Sequence, residues 1–432
     1  MLIVNRQAAP GPYPADLQTI LNIEAAHESR VWLSTWDGLN AAPTPLYSLP
    51  DRAARLNVAS LHVKDEGVRS PLGSFKALGA PIALVRLILK LRPGGDVDPT
   101  RVLSGCYAED LKDVTVISAT DGNHGRALAA AARSVGCRCE IVLHANVSAE
   151  REAAISAFGA HIVRIRGNYD ESVQEAARLA EYHHWHAISD TSYEGYADIP
   201  RDVMQGYSTI AAELIEQTGD RPNEEGAFTH VFLQGGVGGL AAGVASYLWE
   251  HHGLNRPEFV VVEPEQADCL YQSALQGRAA KATGSVDSVM AGLACGEPSP
   301  LAWNFLERGV DFFATVSDED AVRAMRALAE ESERDVPIVS GESGAAGFAG
   351  LTLLRADAAA AAAAGLDASS RILIINTEAD TAPAAYEQLA GESGDAVRVR
   401  RIEWLRNHPN RPTIERARGR SRYGRKEAAG LP

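Results

Sequence analysis

From about Val114 onward the chain repeats one unit: a short run of β-branched and aliphatic residues, then an alanine-rich stretch of helical length. The clearest runs are Val114-Thr115-Val116-Ile117, Ile141-Val142-Leu143, Val231-Phe232-Leu233, Phe259-Val260-Val261-Val262 and Ile372-Leu373-Ile374-Ile375. None alternates apolar with polar residues, so each reads as a strand covered on both faces. Strands spaced by helices read in turn as a parallel sheet with crossover connections. The expected class is α/β, doubly wound. Upstream, Leu61-His62-Val63-Lys64 reads as another strand, and Phe75, Leu78, Ile82, Val85 and Leu89 recur at the spacings of a buried helix face. Pro81 lacks a backbone donor, which sets the start of regular helix near residue 80 or a bend there. The run Ala358 to Ala364, closed by Gly365, reads as a surface helix with a glycine C-cap.

A chain of 432 residues is expected to form two or three folded units. Acidic residues number 56 against 41 basic ones, a formal net charge of −15, so the overall field repels nucleic acid and acidic membranes. No apolar stretch is long enough to span a bilayer, and Met1 is not followed by a basic then apolar leader pattern; a cytoplasmic protein is expected. The cysteines number five, Cys106, Cys137, Cys139, Cys269 and Cys295, an odd and scattered set that fits a reducing compartment better than a disulfide framework. Neither the Cys137-Arg138-Cys139 pair nor His183-His184-Trp185-His186 has a second ligand pair at metal-site spacing, and no metal is expected. Residues 397–432 differ from the rest: Arg-rich, with Pro409, Pro412 and several glycines, they read as an extended tail that packs on its own or a neighbouring subunit, or contacts a polyanion.

Three strand-to-helix junctions carry unusual residues, and open α/β sheets bind ligands beyond the carboxyl ends of their strands. After Val231-Phe232-Leu233 comes Gln234-Gly235-Gly236-Val237-Gly238-Gly239-Leu240, then a helical stretch. Residues without side chains let N–H groups converge on an anion, and the positive end of the next helix favours phosphate. The same segment fits the dinucleotide pattern G-x-G-x-x-A, with Glu263 ending the following strand, so a nicotinamide-dependent dehydrogenase stays open at this point. The second junction puts Lys76, in Ser74-Phe75-Lys76-Ala77-Leu78-Gly79, at a helix start; the positive helix end and partial desolvation are expected to lower its pKa, as an imine-forming lysine requires. The third is Thr120-Asp121-Gly122-Asn123-His124-Gly125 after the strand ending at Ser118, where Asp121 and Asn123 also serve as helix caps.

Taken in order, Ser74-Phe75-Lys76, Thr120 to Gly125 and the glycine loop resemble the fold type II pyridoxal 5′-phosphate enzymes, the tryptophan-synthase-like group that includes threonine and serine dehydratases. Asp121, together with Asp190-Thr191-Ser192-Tyr193-Glu194-Gly195-Tyr196 and Met204-Gln205-Gly206-Tyr207, is similar to the diaminopropionate ammonia-lyase branch of that group. Met290 to Pro298, Ser340-Gly341-Glu342-Ser343-Gly344 and Asn376-Thr377-Glu378 agree, and the resemblance spans roughly Val31 to Leu389.

The resemblance implies two doubly wound α/β domains with the cofactor in the cleft between them: residues 1–89 and 201–396 as the large domain, and residues 90–200 as a small inserted one. Lys76 would carry the cofactor as an imine beside Phe75. Gly235, Gly236, Val237, Gly238 and Gly239 would bind its phosphate, Asn123 its ring oxygen, and Thr377 would face the pyridine nitrogen. Lys76 and Asp121 would act as bases on opposite faces, so that D- and L-diaminopropionate both lose ammonia and yield pyruvate, and Asp190 would bind the substrate β-ammonium. A homodimer is implied as well. Elimination or β-replacement on another β-substituted amino acid, such as serine or threonine, is the neighbouring alternative. A non-catalytic binding protein with a polyanion-binding tail is a distant one. Two residues depart from the pattern: Val237 interrupts an all-glycine loop, and Ala379 stands where glycine is expected after Glu378, a change expected to shift the strand end near Thr377.

Overall fold

The computed structural model describes residues 1–9, 11–120 and 122–409. Its strands are β1 (Leu2–Val4), β2 (Leu46–Ser48), β3 (Ser60–Asp65), β4 (Thr115–Ala119), β5 (Arg138–Leu143), β6 (His161–Arg164), β7 (His186–Ala187), β8 (His230–Gln234), β9 (Glu258–Pro264), β10 (Phe312–Val316) and β11 (Arg371–Asn376). They form two sheets. The larger has the order β1-β10-β9-β8-β11-β3-β2, and the smaller β6-β5-β4-β7. All pairs are parallel except the two edges, β1 on β10 and β2 on β3.

The unbroken apolar runs are the interior strands, as both-face coverage requires: β8 and β10 are buried at every residue, and β9 at all but its first. The helix expected around Pro81 begins at Gly79 and runs to Leu91, with the proline in its first turn, where no helical donor is lost. A 3₁₀ turn over Phe75–Leu78 precedes it. Ala358–Ala363 is helical, and Gly365 follows at φ +64°. Among the described residues no helix is long and apolar enough to cross a membrane.

Beneath the larger sheet lies a buried ionic cluster that the strand pattern gave no hint of. Lys64, at the end of β3, donates to Glu213 Oε2 at 2.7 Å, and Arg69 donates to both carboxylate oxygens of Glu213 at 2.6 and 2.8 Å and to Glu66. Each buried charge there has an opposite partner within hydrogen-bond reach, the condition for tolerating charge at this depth.

The segment expected to be extended from residue 397 is helical over Gly394–Asn407. Two apolar side chains decide this: Val397 and Trp404 are buried against the larger sheet's outer core, and Trp404 Nε1 donates to Ser332 O at 2.8 Å. Composition counts arginines but does not register that two residues a helical stripe apart can dock the whole segment. Residues 410–432, the rest of the basic tail, lie outside the described residues.

Candidate active site

The carboxyl ends of β4, β8 and β11 open onto one cavity of about 600 Å³ between the two sheets. It is lined by Phe75, Lys76, Asn123, Asp190, Gly235, Gly236, Val237, Gly239 and Thr377, residues from segments as far as three hundred positions apart. Gly238 sits behind this wall, and Asp121 lies outside the described residues.

The glycine loop is shaped by backbone geometry. Gly236 and Gly238 have φ of +65° and +97°, a region that side chains disfavour, and a Cβ on Gly238 would sit 2.7 Å from Leu306 Cδ1. The amide of Gly235 is spent on Val262 O at 2.9 Å and that of Gly238 on Gly235 O at 3.3 Å. The amides of Gly236, Val237 and Gly239 line the cavity and, among the described residues, have no main-chain acceptor. Three converging donors at the start of the helix Gly239–His252 form an anion cradle. Val237 costs the cradle nothing, because its carbonyl is held by Ser299 N at 2.9 Å and only its main chain is used.

Glu263 overturns the dinucleotide reading of this loop. It is fully buried beneath the loop and accepts from Leu270 N at 3.0 Å and Tyr271 N at 2.7 Å, so it caps the helix Cys269–Gln276 and is not offered to a ribose. Burial pushes its carboxyl up to about 8.

Lys76 is placed by a short pairing between the turn before it and the segment after β11. Phe75 N donates to Thr377 O at 3.0 Å, and Ala379 N to Gly73 O at 2.9 Å. Ala379 is therefore pinned by its own amide. The lysine ammonium lies 5.2 Å from the Phe75 ring centre and 5.7 Å from that of Tyr207, and it is in direct ion pair with Asp190 Oδ2. The expected lowering of the Lys76 pKa is not found. Burial pulls it down, but the Asp190 carboxylate, with smaller contributions from Tyr207 and Cys295, more than reverses this and holds the lysine above its ordinary value. Burial likewise opposes ionisation of Asp190, and Lys76, then His124, overcome it, so the carboxyl lies well below the usual range. Helix position and desolvation were legible in the chain; a counter-charge 114 residues away was not.

Asp190 is aimed by the turn after β4. Thr120 Oγ1 accepts from Gly122 N at 3.1 Å and Gly125 N at 3.2 Å, fixing that turn. His124 Nε2 donates to Ile188 O at 2.9 Å, and its Nδ1 is 3.9 Å from Asp190 Oδ2. Two residues on, Ser192 N donates to Ser299 Oγ at 3.1 Å, the same Ser299 whose amide holds Val237. The smaller sheet's carboxylate and the larger sheet's anion cradle are thus stapled together. On the opposite wall, Asn123 Nδ2 donates to Glu378 Oε2 at 2.5 Å, and Ser343 N donates to Glu378 Oε1 at 3.1 Å. Glu378, Ser343, Tyr207 and Cys295 stand in the motifs that carried the resemblance, though none is expected as a site residue from the sequence. Arg151, which lines the mouth and pairs with Glu342 at 3.1 Å, stands in none of them.

An anion cradle, a largely buried lysine backed by aromatic rings and a neutral hydroxyl at the cavity floor define the class. Residues 39–378 match the family model described as "Pyridoxal-phosphate dependent enzyme", and the chain belongs to that family. Within it, the chain is 37% identical over 358 residues to Diaminopropionate ammonia-lyase of Salmonella typhimurium, covering 81% of this chain and 88% of that protein. It is 36% identical over 361 residues to Diaminopropionate ammonia-lyase of Escherichia coli, covering 82% and 89%. The fold superposes on the crystal structure of holo Diaminopropionate ammonia lyase from Escherichia coli with a TM-score of 0.80 and 33% identity, over 90% of this chain and 96% of that one. It also superposes on the same protein in complex with an aminoacrylate-PLP azomethine reaction intermediate, with a TM-score of 0.79, 32% identity and the same shares of the two chains, 90% and 96%.

Proposed function

We propose that the chain is a pyridoxal-phosphate dependent lyase that eliminates ammonia from 2,3-diaminopropionate of either configuration, giving pyruvate and a second ammonia after addition of water. The cofactor fits the residues present. The free amides of Gly236, Val237 and Gly239 take its phosphate, Lys76 its aldehyde, Asn123 its ring oxygen and Thr377 its pyridine nitrogen, with Phe75 beside the lysine. Bound there, pyridoxal phosphate supplies the electron sink that acidifies the substrate Cα–H.

The observation that carries the choice of substrate is Asp190. This carboxylate, 14% exposed, already holds an ammonium, that of Lys76. With Lys76 committed to the cofactor, Asp190 is left charged, largely buried and facing the cavity, and a carboxylate so placed requires a cation. The β-ammonium of diaminopropionate supplies one; the hydroxyl of serine or threonine does not. Lys76 Nζ, once the substrate α-amine has replaced it on the cofactor aldehyde and left it a neutral amine, would take the Cα proton from one enantiomer. Asp121, which lies outside the described residues, takes it from the other. Thr377 would meet the ring nitrogen with a neutral hydroxyl rather than a carboxylate, which would weaken the ring as an electron sink and favour loss of the β-group over transamination.

The reading further takes residues 1–89 and 201–396 as the large domain, with the docked helix Gly394–Asn407 added to it, residues 90–200 as the inserted domain, and a cytoplasmic homodimer as the working form. The deciding experiment measures pyruvate and ammonia release by the cofactor-loaded enzyme from D- and L-diaminopropionate, serine and threonine. Release from both diaminopropionate enantiomers in clear excess over the hydroxy amino acids is expected. No pyruvate from either enantiomer, with serine or threonine turned over instead, would return the chain to the dehydratases.

A further inference from the structure

We infer that Arg401, on the C-terminal helix, is a positioning residue for the floor of the site, acting through Asp65 and Asn376 on Thr377; this rests on Thr377 facing the cofactor ring, as proposed above. β3 and β11 end in register, with Asn376 opposite Asp65. The Asp65 side chain is 1% exposed. Its Oδ1 accepts from Asn376 Nδ2 at 2.8 Å and Gly67 N at 3.2 Å, and its Oδ2 accepts from Arg401 Nη1 at 3.2 Å. Among the described residues no other cation pairs with it. Burial raises the Asp65 pKa above its ordinary value, and Arg401, then Asn376, offset only part of this.

Asn376 Nδ2 also donates to Val339 O at 2.9 Å, so two acceptors from different segments hold the last residue of β11. The next residue is Thr377, and its carbonyl carries the amide of Phe75, beside Lys76. A shift at Asn376 therefore moves the ring-facing hydroxyl and the lysine turn together. The helix is docked independently of this contact: Arg398 pairs with Asp380, Arg400 donates to Ala329 O at 2.9 Å and to Glu392 Oε1 at 2.8 Å, and Trp404 is buried. Docking and positioning are thus separable by mutation.

The test uses the full chain and four variants: Arg401→Met, Arg401→Lys, Arg400→Met, and the double variant Asp65→Asn with Arg401→Met. Three readouts are taken: the pyridoxal phosphate dissociation constant by fluorescence titration of cofactor-free protein, the absorption band of the loaded enzyme, and the unfolding midpoint of the cofactor-free chain. Arg401→Met leaves a buried carboxylate unpaired, and a cofactor affinity about tenfold weaker with a displaced band is expected. Arg401→Lys and the double variant recover most of both. Arg400→Met lowers the unfolding midpoint and leaves affinity and band in place. The inference is overturned if Arg401→Met moves only the midpoint, if the double variant recovers nothing, or if Arg400→Met weakens the cofactor equally. Should Arg401→Met not fold, Arg401→Gln, which keeps a donor but no charge, takes its place: weaker cofactor binding with a displaced band supports the inference, and wild-type affinity and band overturn it. Failure of the substrate reading shows up separately, as wild-type protein that binds the cofactor and releases no pyruvate.

Discussion

Lys76 Nζ and Asp190 Oδ2 form a direct ion pair across the cleft, one from the helix start after β3 and the other from the segment after β7, with side chains 17% and 14% exposed. The pair sets the resting charge of the site, because burial opposes the charged form of each group and the partner's charge offsets it.

Replacing Lys76 with alanine removes both the group proposed to hold the cofactor aldehyde and one proposed proton acceptor. Turnover is expected to fall by about four orders of magnitude. The cofactor-free protein should also lose roughly 1–3 kcal/mol of stability, since Asp190 is left a largely buried charge without its partner. Pyruvate release and denaturant unfolding measure the two. Adding Asp190→Asn to Lys76→Ala should restore the stability and not the activity; a further loss of stability in the double variant would contradict the pairing.

Asp190→Asn keeps the shape of the side chain and removes its charge. Selectivity, read as the ratio of kcat/KM for diaminopropionate to that for serine, should fall about 10- to 100-fold, the worth of a charge-assisted hydrogen bond. A ratio equal to that of wild type would dissociate Asp190 from the β-ammonium.

At Gly238, alanine has to adopt φ near +97° and place its methyl 2.7 Å from Leu306 Cδ1. Strain of about 1–2 kcal/mol in a loop whose neighbouring amides are proposed to hold the phosphate should weaken the cofactor by about tenfold or more. Equilibrium titration with pyridoxal phosphate checks this, and Val237→Ala, which leaves the main chain alone, should bind as wild type does.

Acid stability should carry a signature of His62. Its ring packs edge-on against Phe228, and burial lowers its pKa from 6.5 to about 4. Between those values the unfolded chain binds a proton that the folded one refuses, so stability is full above about pH 6.5 and declines as pH falls toward 4. The loss amounts to about 2–3 kcal/mol at the acid end. Urea unfolding of wild type and His62→Phe at pH 7 and pH 4.5 should show the gap between them change across that interval; parallel curves would remove His62 from the acid response.

Six strands were legible because buried parallel strands leave continuous β-branched runs: Leu61–Lys64 falls within β3, and all five runs in the Val114–Ile375 region became strands within one to three residues. The helix after Lys76 was legible from its apolar spacing, and the glycine loop from its composition. The short strands β1, β6 and β7 were not. They are two to four residues long, half exposed, and exist because a sheet edge was there to pair with. Tertiary context also converted the basic segment after residue 397 into a helix by giving Val397 and Trp404 somewhere to bury.

By itself the sequence determined the class of fold, the side-chain-free loop after β8 and the placing of Lys76 at a helix start, since each depends on residues adjacent in the chain: a strand, a turn free of side chains, a helix start. Tertiary structure alone decided the charge state of that lysine, the burial of Glu263 under the loop, and the contact of Arg401 with Asp65. Those depend on Coulomb partners and desolvation, which are set by distance in space and leave no period or spacing in the chain.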